Sequence, residues 1–254
     1  MSDTYDRIGR GYSGFRQTDP RIAAAIETAL GEAGTVLNVG AGAGSYEPPG
    51  REVVAVEPSA EMIAQRLPGG APAVQASAES LPFADDSFDA AMAVFSDHHW
   101  RDRTAGLREM QRVAGGRVVI LNADPGLATS FWLTRDYLPT FADLIPPPYR
   151  RAGYWLDELE GLLGPIEAMT VPVPHDCRDG FYQSYWRRPR AYLEPRIRET
   201  ISVFHRLADA DLATAIDRLR RDLDDGHWEE RNADLLELPE LDVGLRLVIA
   251  GDSS

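Results

Sequence analysis

Three glycines and one acid are the residues of this chain best spaced for chemistry. Gly40, Gly42 and Gly44 follow an apolar run at 36–39, and Glu57 ends a second apolar run at 53–56. Glycine has no Cβ, so backbone N–H groups in such a loop can come close to a ligand. An acid at the tip of the next strand can accept hydrogen bonds from both hydroxyls of a ribose. Together they describe a nucleoside site at the carboxyl edge of a parallel sheet. The dinucleotide pattern is G-x-G-x-x-G, but here the run is G-x-G-x-G and Ser45 stands where that pattern calls for glycine. No Gly-Lys-Ser/Thr occurs, which excludes a phosphate loop. The plainer alternative is a glycine-rich turn with no ligand.

A second chemical candidate is His98-His99, just beyond the apolar strand that ends at Val94. An ordinary imidazole pKa of ~6.5 suits proton removal near neutrality. The alternative is that one histidine caps a helix or bonds a backbone carbonyl. His175 and Asp176, beside another strand end, are second-choice bases.

These residues need a scaffold. Asp19 reads as the N-cap of a helix at 21–31, with Pro20 in its first turn and Gly31 at its end. Strands and helices then alternate: strands at 36–39, 53–56, 73–75, 89–95 and 116–121, with helices at 59–66 and 102–113. Such alternation means a parallel sheet with helices on both faces. Between Gly44 and Val53, Pro48-Pro49 breaks any helix, so the first crossover reads as loop. A helix at 155–163, a strand at 166–173 and a last strand at 242–250 complete the pattern. The segments 125–152 and 176–238 interrupt it. They are rich in aromatic residues, and 213–223 has helical periodicity.

Composition bounds the function. The chain has 254 residues, 44% of them hydrophobic, with a net charge of −14. That length suits one large α/β domain or a domain with a cap. Nucleic-acid binding needs Lys and Arg against phosphates, so the acidic surface argues against nucleic acid and anionic membranes. Arg187-Arg188-Pro189-Arg190 is small, sits among acids, and is expected to pair with them. The single cysteine, Cys177, precludes an intrachain disulfide and fits a cytoplasmic protein. The first residues lack a signal-peptide core. No apolar stretch approaches the ~20 residues of a membrane span. Adjacent His98 and His99 lack the i, i+4 spacing of helix-borne metal ligands, so no metal is expected.

Four blocks in order carry a family resemblance. They are Val36-Leu-Asn-Val-Gly-Ala-Gly-Ala-Gly44, Val54-Ala-Val-Glu-Pro-Ser-Ala-Glu-Met62, the stretch Ala76 to Asp89, and Gly106 to Val113 with Gly116 to Leu121. The chain resembles the class I S-adenosylmethionine-dependent methyltransferases, in particular the small-molecule branch that includes the quinone-biosynthesis enzymes. The resemblance covers residues 36–121. It implies a doubly wound, mostly parallel seven-stranded α/β sheet of Rossmann type, its last strand antiparallel between strands five and six. It further implies one domain, with core at about 20–124, 153–175 and 241–250, and a helical cap from 1–19, 125–152 and 176–240.

The same resemblance assigns the cofactor site. Gly40, Ala41, Gly42 and Gly44 would cradle the methionine portion of S-adenosylmethionine. Glu57, with Pro58 after it, would hold the ribose, and Met62 would pack on adenine. Ser77, Ala78 and Glu79 would meet the adenine edge, although Glu79 could instead serve a helix N-terminus. Phe95 and Ser96 would line the methionine side. Tyr5 and Tyr12 resemble the leading element that folds over the cofactor, and Arg16 would pair with the cofactor's carboxylate. Two residues depart from the family pattern: Asn38 replaces an acid, and Ser77 replaces an aspartate.

The cofactor carries the electrophile, so the protein supplies position, water exclusion and sometimes a base. The acceptor is a small molecule. Trp132, Tyr137, Trp155, Phe181, Tyr182, Tyr185 and Trp186 either line a pocket for a hydrophobic or aromatic acceptor or simply form the cap's own core. Two alternatives stay open: a cofactor-binding enzyme that cyclises or decarboxylates without methylating, and a non-catalytic nucleoside-binding protein.

Overall fold

The computed structural model describes residues 16–251. Helix α1, Pro20–Leu30, starts where the sequence places it, because the buried Asp19 side chain accepts the Arg21 N–H. It stops at Gly31, whose positive φ of 54° ends the helix. Strands β1 (Thr35–Val39) and β2 (Glu52–Val56) run parallel in register, Val36 opposite Val53 and Val39 opposite Val56. The Gly44–Arg51 crossover between them has no helix, as Pro48-Pro49 requires. Next come α2 (Ala60–Ala64), capped by Ser59, the short β3 (Ala73–Val74) and β4 (Phe88–Val94). Helix α3, Arg103–Val113, is capped by Asp102 and leads directly into β5, Ala114–Ala123.

After β5 the chain makes one-turn helices before α4, Tyr154–Leu163, which packs against α3. Strand β6 is shorter than expected, Ile166–Thr170. Its partner strand begins only at Leu245, after Gly244 with φ of 91°, so the ladder ends there. Val173–Pro174 (β7) instead pairs antiparallel with Glu240–Leu241 (β8). The last strand, β9, starts later than expected, at Leu245, and runs to Gly251. A turn in which Asp242 accepts the Gly244 N–H occupies the residues before it. Within the second interruption, α5 is longer than its periodic stretch, Asp209–Asp224.

The main sheet has seven strands in the order β3-β2-β1-β4-β5-β9-β6, and β9 is antiparallel to both neighbours. Strand order reverses between the parallel neighbours β1 and β4, which opens a crevice at their carboxyl ends. Strand periodicity splits the core between two faces. Leu37, Val39, Ala91, Ala93, Ile120 and Val248 face α3, α4 and the buried Trp155. Val36, Met92, Val119, Leu121 and Leu247 face α1, and this core continues without a break into the interruptions through Trp132, Tyr182, Trp186 and Trp228.

The aromatic residues proposed as pocket lining are mostly that shared core. Trp132, Tyr137, Trp155, Phe181, Tyr182, Tyr185 and Trp186 are all buried. Trp132 Nε1 donates to the Trp186 carbonyl and Trp186 Nε1 to the Val173 carbonyl, both at 2.9 Å. The two indoles thereby satisfy their polar atoms while binding the interruptions to the sheet. The arginine cluster differs from expectation. Arg187 and Arg188 donate to the backbone carbonyls of Leu238, Cys177 and Ser184, and only Arg190 pairs with an acid, Asp224. No helix among the described residues is long and apolar enough to cross a membrane.

Candidate active site at the sheet switch point

The glycine loop leaves β1 at Gly40, with φ of 72°. A Cβ there would sit 2.6 Å from the Ser96 Cβ, so only glycine lets the loops after β1 and β4 touch. Ser96 completes the junction by donating from Oγ to the Val39 carbonyl at 2.7 Å. Trp100 wedges against the same point: its Nε1 would lie 3.3 Å from a Gly40 Cβ, and its ring fills the space over Gly106.

The loop's amides are used differently from the sequence expectation. Gly40 and Ala41 donate to the Val56 carbonyl, and Gly42 donates to Glu57 Oε2 at 2.9 Å. These three N–H groups bind the loop to β2. What the glycines supply to a ligand is room. Glu57 is buried and also accepts the Ser59 N–H through Oε1 at 2.9 Å. Burial raises its pKa, while the Ser59 and Gly42 amides and Arg66 oppose the rise. Each carboxylate oxygen keeps one further lone-pair site, enough for two ribose hydroxyls. Met62 is buried with its Cε over Gly42, 3.3 Å from where a Cβ would be. Pro58 is exposed, and its carbonyl accepts Gln75 Nε2.

Asn38, the departure from the family's acid, has a local explanation. Its Nδ2 lies 3.4 Å from Oε1 of Glu47, and Glu47 pairs with Arg66 at 2.6 Å. The acid therefore comes from the crossover loop, where sequence position gave no hint of it. A second carboxylate at 38 would face Glu47 in a poorly solvated site, whereas an amide donates to it.

On the adenine side, Ser77 is half-buried and Ala78 buried. Glu79 turns away to another task. Its Oε1 accepts the Arg101 and Asp102 N–H groups at 2.8 and 3.2 Å, and Ser77 bonds to it as well. It steadies the entry to α3, so the expectation of an adenine contact gives way to a supporting role.

Phe95 leaves β4 with φ of 53°, a left-handed conformation that costs a non-glycine residue about 1–3 kcal/mol. The bend stacks its ring on Phe181 at 5.0 Å and places it under the Arg16 guanidinium at 5.5 Å. Arg16, expected to meet the cofactor's carboxylate, is held by Asp179. The Nε–Oδ1 distance is 2.6 Å, and Tyr46 Oη donates to the other oxygen at 3.0 Å. Tyr5 and Tyr12 lie outside the described residues.

Ser96 leads into a 3₁₀ turn, Asp97–His99. Asp97 is buried and pairs with Arg103 Nε at 2.8 Å; Arg103 in turn reaches Glu158. Burial pushes the Asp97 carboxyl up, but Arg103, His98 and Asn122 outweigh it and hold it below the usual range. The His98 and His99 rings lie 3.8 Å apart. Protein surrounds His98 closely, yet its surface is accessible to water. Burial lowers the pKa of both imidazoles, and Arg16 and Arg206 push the same way, so both are neutral near pH 7. His175 and Asp176 are exposed elsewhere, and Asp176 pairs with Arg21 of α1. Among the described residues no three His, Cys, Asp or Glu side chains could hold a metal.

A family described as a methyltransferase domain matches residues 37–120. The chain is 34% identical over 164 residues to the ubiquinone/menaquinone biosynthesis C-methyltransferase UbiE of Syntrophotalea carbinolica, over 57% of this chain and 69% of that protein. It is 47% identical over 55 residues to the uncharacterized protein YafE of Escherichia coli, a match spanning 20% of this chain and only 27% of YafE. A solved structure from Anabaena variabilis, described as a candidate methyltransferase from an antibiotic biosynthesis pathway, superposes with a TM-score of 0.84 at 31% identity. That match covers 94% of this chain and 100% of that one.

Proposed function

Because this chain belongs to the class I S-adenosylmethionine-dependent methyltransferases, we propose that it methylates a small hydrophobic or aromatic molecule at the crevice between β1 and β4. The observation that carries this reading is the buried Glu57 carboxylate, tied to the Gly42 amide with acceptor sites to spare. When bound, S-adenosylmethionine supplies a sulfonium methyl group for in-line displacement. The residues present fit it. Glu57 would hold the ribose hydroxyls, Met62 and Ala78 the adenine, and the glycine loop with Phe95 and Ser96 the methionine end.

The rest of the work falls to this chain's own groups. The Phe95–Phe181 stack supplies an apolar wall that suits an aromatic acceptor and excludes water. The name of the UbiE relative, which places it in quinone biosynthesis, supports the same acceptor class. His98 and His99, both neutral near pH 7, are the candidate contacts for an acceptor's polar group. No observation favours the non-methylating or non-catalytic alternatives. The single buried Cys177 supports a cytoplasmic setting.

The test is calorimetric titration with S-adenosylhomocysteine, beside NAD and beside Glu57→Ala. Saturable binding that NAD does not reproduce and Glu57→Ala weakens is the expected result. Folded wild-type protein that binds neither would overturn the reading.

A further inference from the structure

The two histidines have been treated as equivalent candidates for a base, but the hydrogen bonds around Asn122 separate them. Asn122 closes β5 and is buried. Its Oδ1 accepts the Ala123 N–H at 2.8 Å. Its Nδ2 donates to Asp97 Oδ1 and lies 2.8 Å from His98 Nδ1. The amide cannot be turned over. A reversed Asn122 would set its oxygen against the Asp97 carboxylate and its NH₂ against a backbone N–H. An ionised carboxylate only accepts, and a backbone N–H only donates. Both protons on Nδ2 are therefore committed, one to Asp97 and one to His98. His98 Nδ1 must be an acceptor, and a neutral imidazole with Nδ1 unprotonated carries its proton on Nε2.

Nε2 has no hydrogen-bond partner among the described residues, and His98 is exposed to solvent. Nε2 already bears its proton and has no lone pair for another; a second proton could enter only at Nδ1, which would make the ring cationic and displace the Asn122 donor. The charged groups acting on it are Asp97, which favours a positive ring, and Arg16, Arg206 and Arg103, which oppose it, with the His99 ring tilted beside it at 3.8 Å. The three cations oppose a further positive charge, and so does burial.

We propose that His98 is not the base but a fixed Nε2–H donor that binds an oxygen of the methyl acceptor, with Asn122 as the residue that positions it. The acceptor class narrows accordingly to a molecule carrying a carbonyl, phenolate or carboxylate oxygen beside the atom that is methylated. Such a donor holds negative charge on an oxygen and leaves an adjacent carbon as the nucleophile, so it suits a phenolic or enolic acceptor. Any base role then passes to His99. This rests on the methyltransferase reading, but its test does not.

The experiment is long-range proton–nitrogen correlation on protein with nitrogen-15-labelled histidine, between about pH 6 and 8. His98→Gln identifies the His98 signals among the five histidines. The expected spectrum for His98 has one protonated nitrogen, Nε2, and an unprotonated Nδ1 across the range. Asn122→Asp replaces the donor by an acceptor and should move the proton to Nδ1. Asn122→Ala, the milder change, should give a mixture of the two tautomers. Phenol, added to protein saturated with S-adenosylhomocysteine, should shift the wild-type Nε2–H resonance downfield. Wild-type His98 protonated on Nδ1, or cationic at pH 7, would overturn the donor assignment. A phenol-insensitive Nε2–H would overturn the oxygen-bearing acceptor. Calorimetry with S-adenosylhomocysteine decides the cofactor separately: binding with the wrong tautomer sinks only this inference.

Discussion

The Gly42 amide donates to Glu57 Oε2 at 2.9 Å, so Glu57 and the glycine loop are parts of one hydrogen-bonded unit. Removing the acid should therefore damage the loop as well as the ligand contact. Hydrogen bonds to a charged group contribute about 1.5–3 kcal/mol each. Glu57→Gln keeps one acceptor oxygen but turns an NH₂ toward either Gly42 or Ser59, both donors. It should weaken S-adenosylhomocysteine binding about tenfold or more, and lower the melting temperature even without ligand. Unchanged affinity by calorimetry would remove Glu57 from the site.

Gly40→Ala tests the junction between the loops after β1 and β4. The new Cβ would lie 2.6 Å from that of Ser96, at a φ of 72°. Strain at such a position costs about 1–3 kcal/mol, and the overlap adds to it. Urea unfolding should show the loss. Adding Ser96→Gly should return part of it by removing the opposing Cβ, though the φ penalty remains.

The latch formed by Arg16, Asp179 and Tyr46 ties the chain before α1 to the second interruption. Asp179 is 1% exposed, so Arg16→Ala strands a buried carboxylate. Breaking a buried pair in this way costs about 3–5 kcal/mol. Replacing both partners by apolar residues, Arg16→Met with Asp179→Leu, should cost much less than the single change. Chemical denaturation of wild type, Arg16→Met, Asp179→Leu and the double variant measures the coupling; simple additivity would mean the latch stabilises nothing.

Asp19 gives the protein an acid-sensitive joint. Burial pushes its carboxyl upward, but bonds from the Arg21 side chain and from the Arg178 and Arg21 amides outweigh that and bring its pKa down to about 2. The folded value is below the unfolded one. The charged form therefore adds stability above the ordinary value of 3.8, and that stability is lost as pH falls toward about 2. At ~1.4 kcal/mol per unit the loss is on the order of 2 kcal/mol, reduced by solvent around the half-exposed Arg21. The difference in unfolding free energy between wild type and Asp19→Asn should shrink across that window and be constant above pH 5. A difference that does not narrow on acidification would disprove the linkage.

Cys177 is buried, and burial pushes its thiol up to about 12. The thiolate is the reactive form, so native protein should react with Ellman's reagent only at the rate of opening or unfolding. Rapid stoichiometric labelling at pH 8 would contradict the buried placement.

The elements were legible in the sequence wherever one local rule decided them. Asp19-Pro20 started α1, and short apolar runs marked β1, β2 and β4. Local rules also misled where a partner was needed. The run at 166–173 looks like one strand, but its partner β9 extends only as far as Leu245, and that ends the pairing at Val171. Glu79 looks like a ligand contact until Arg101 and Asp102 claim it.

What the sequence determined by itself was the fold class and the family, because strand–helix alternation and the four motif blocks each act over a few residues. What only the tertiary structure decided was how the site is held and which histidine does what. Arg16 meets Asp179 across 163 residues, and Asn122 reaches His98 across 24. Glu47 replaces the acid that Asn38 lacks from a different loop. Such pairings leave no periodic trace in the chain. They exist because the parallel sheet brings the ends of β1, β4 and β5 together, where buried polar groups must find partners or pay for their desolvation.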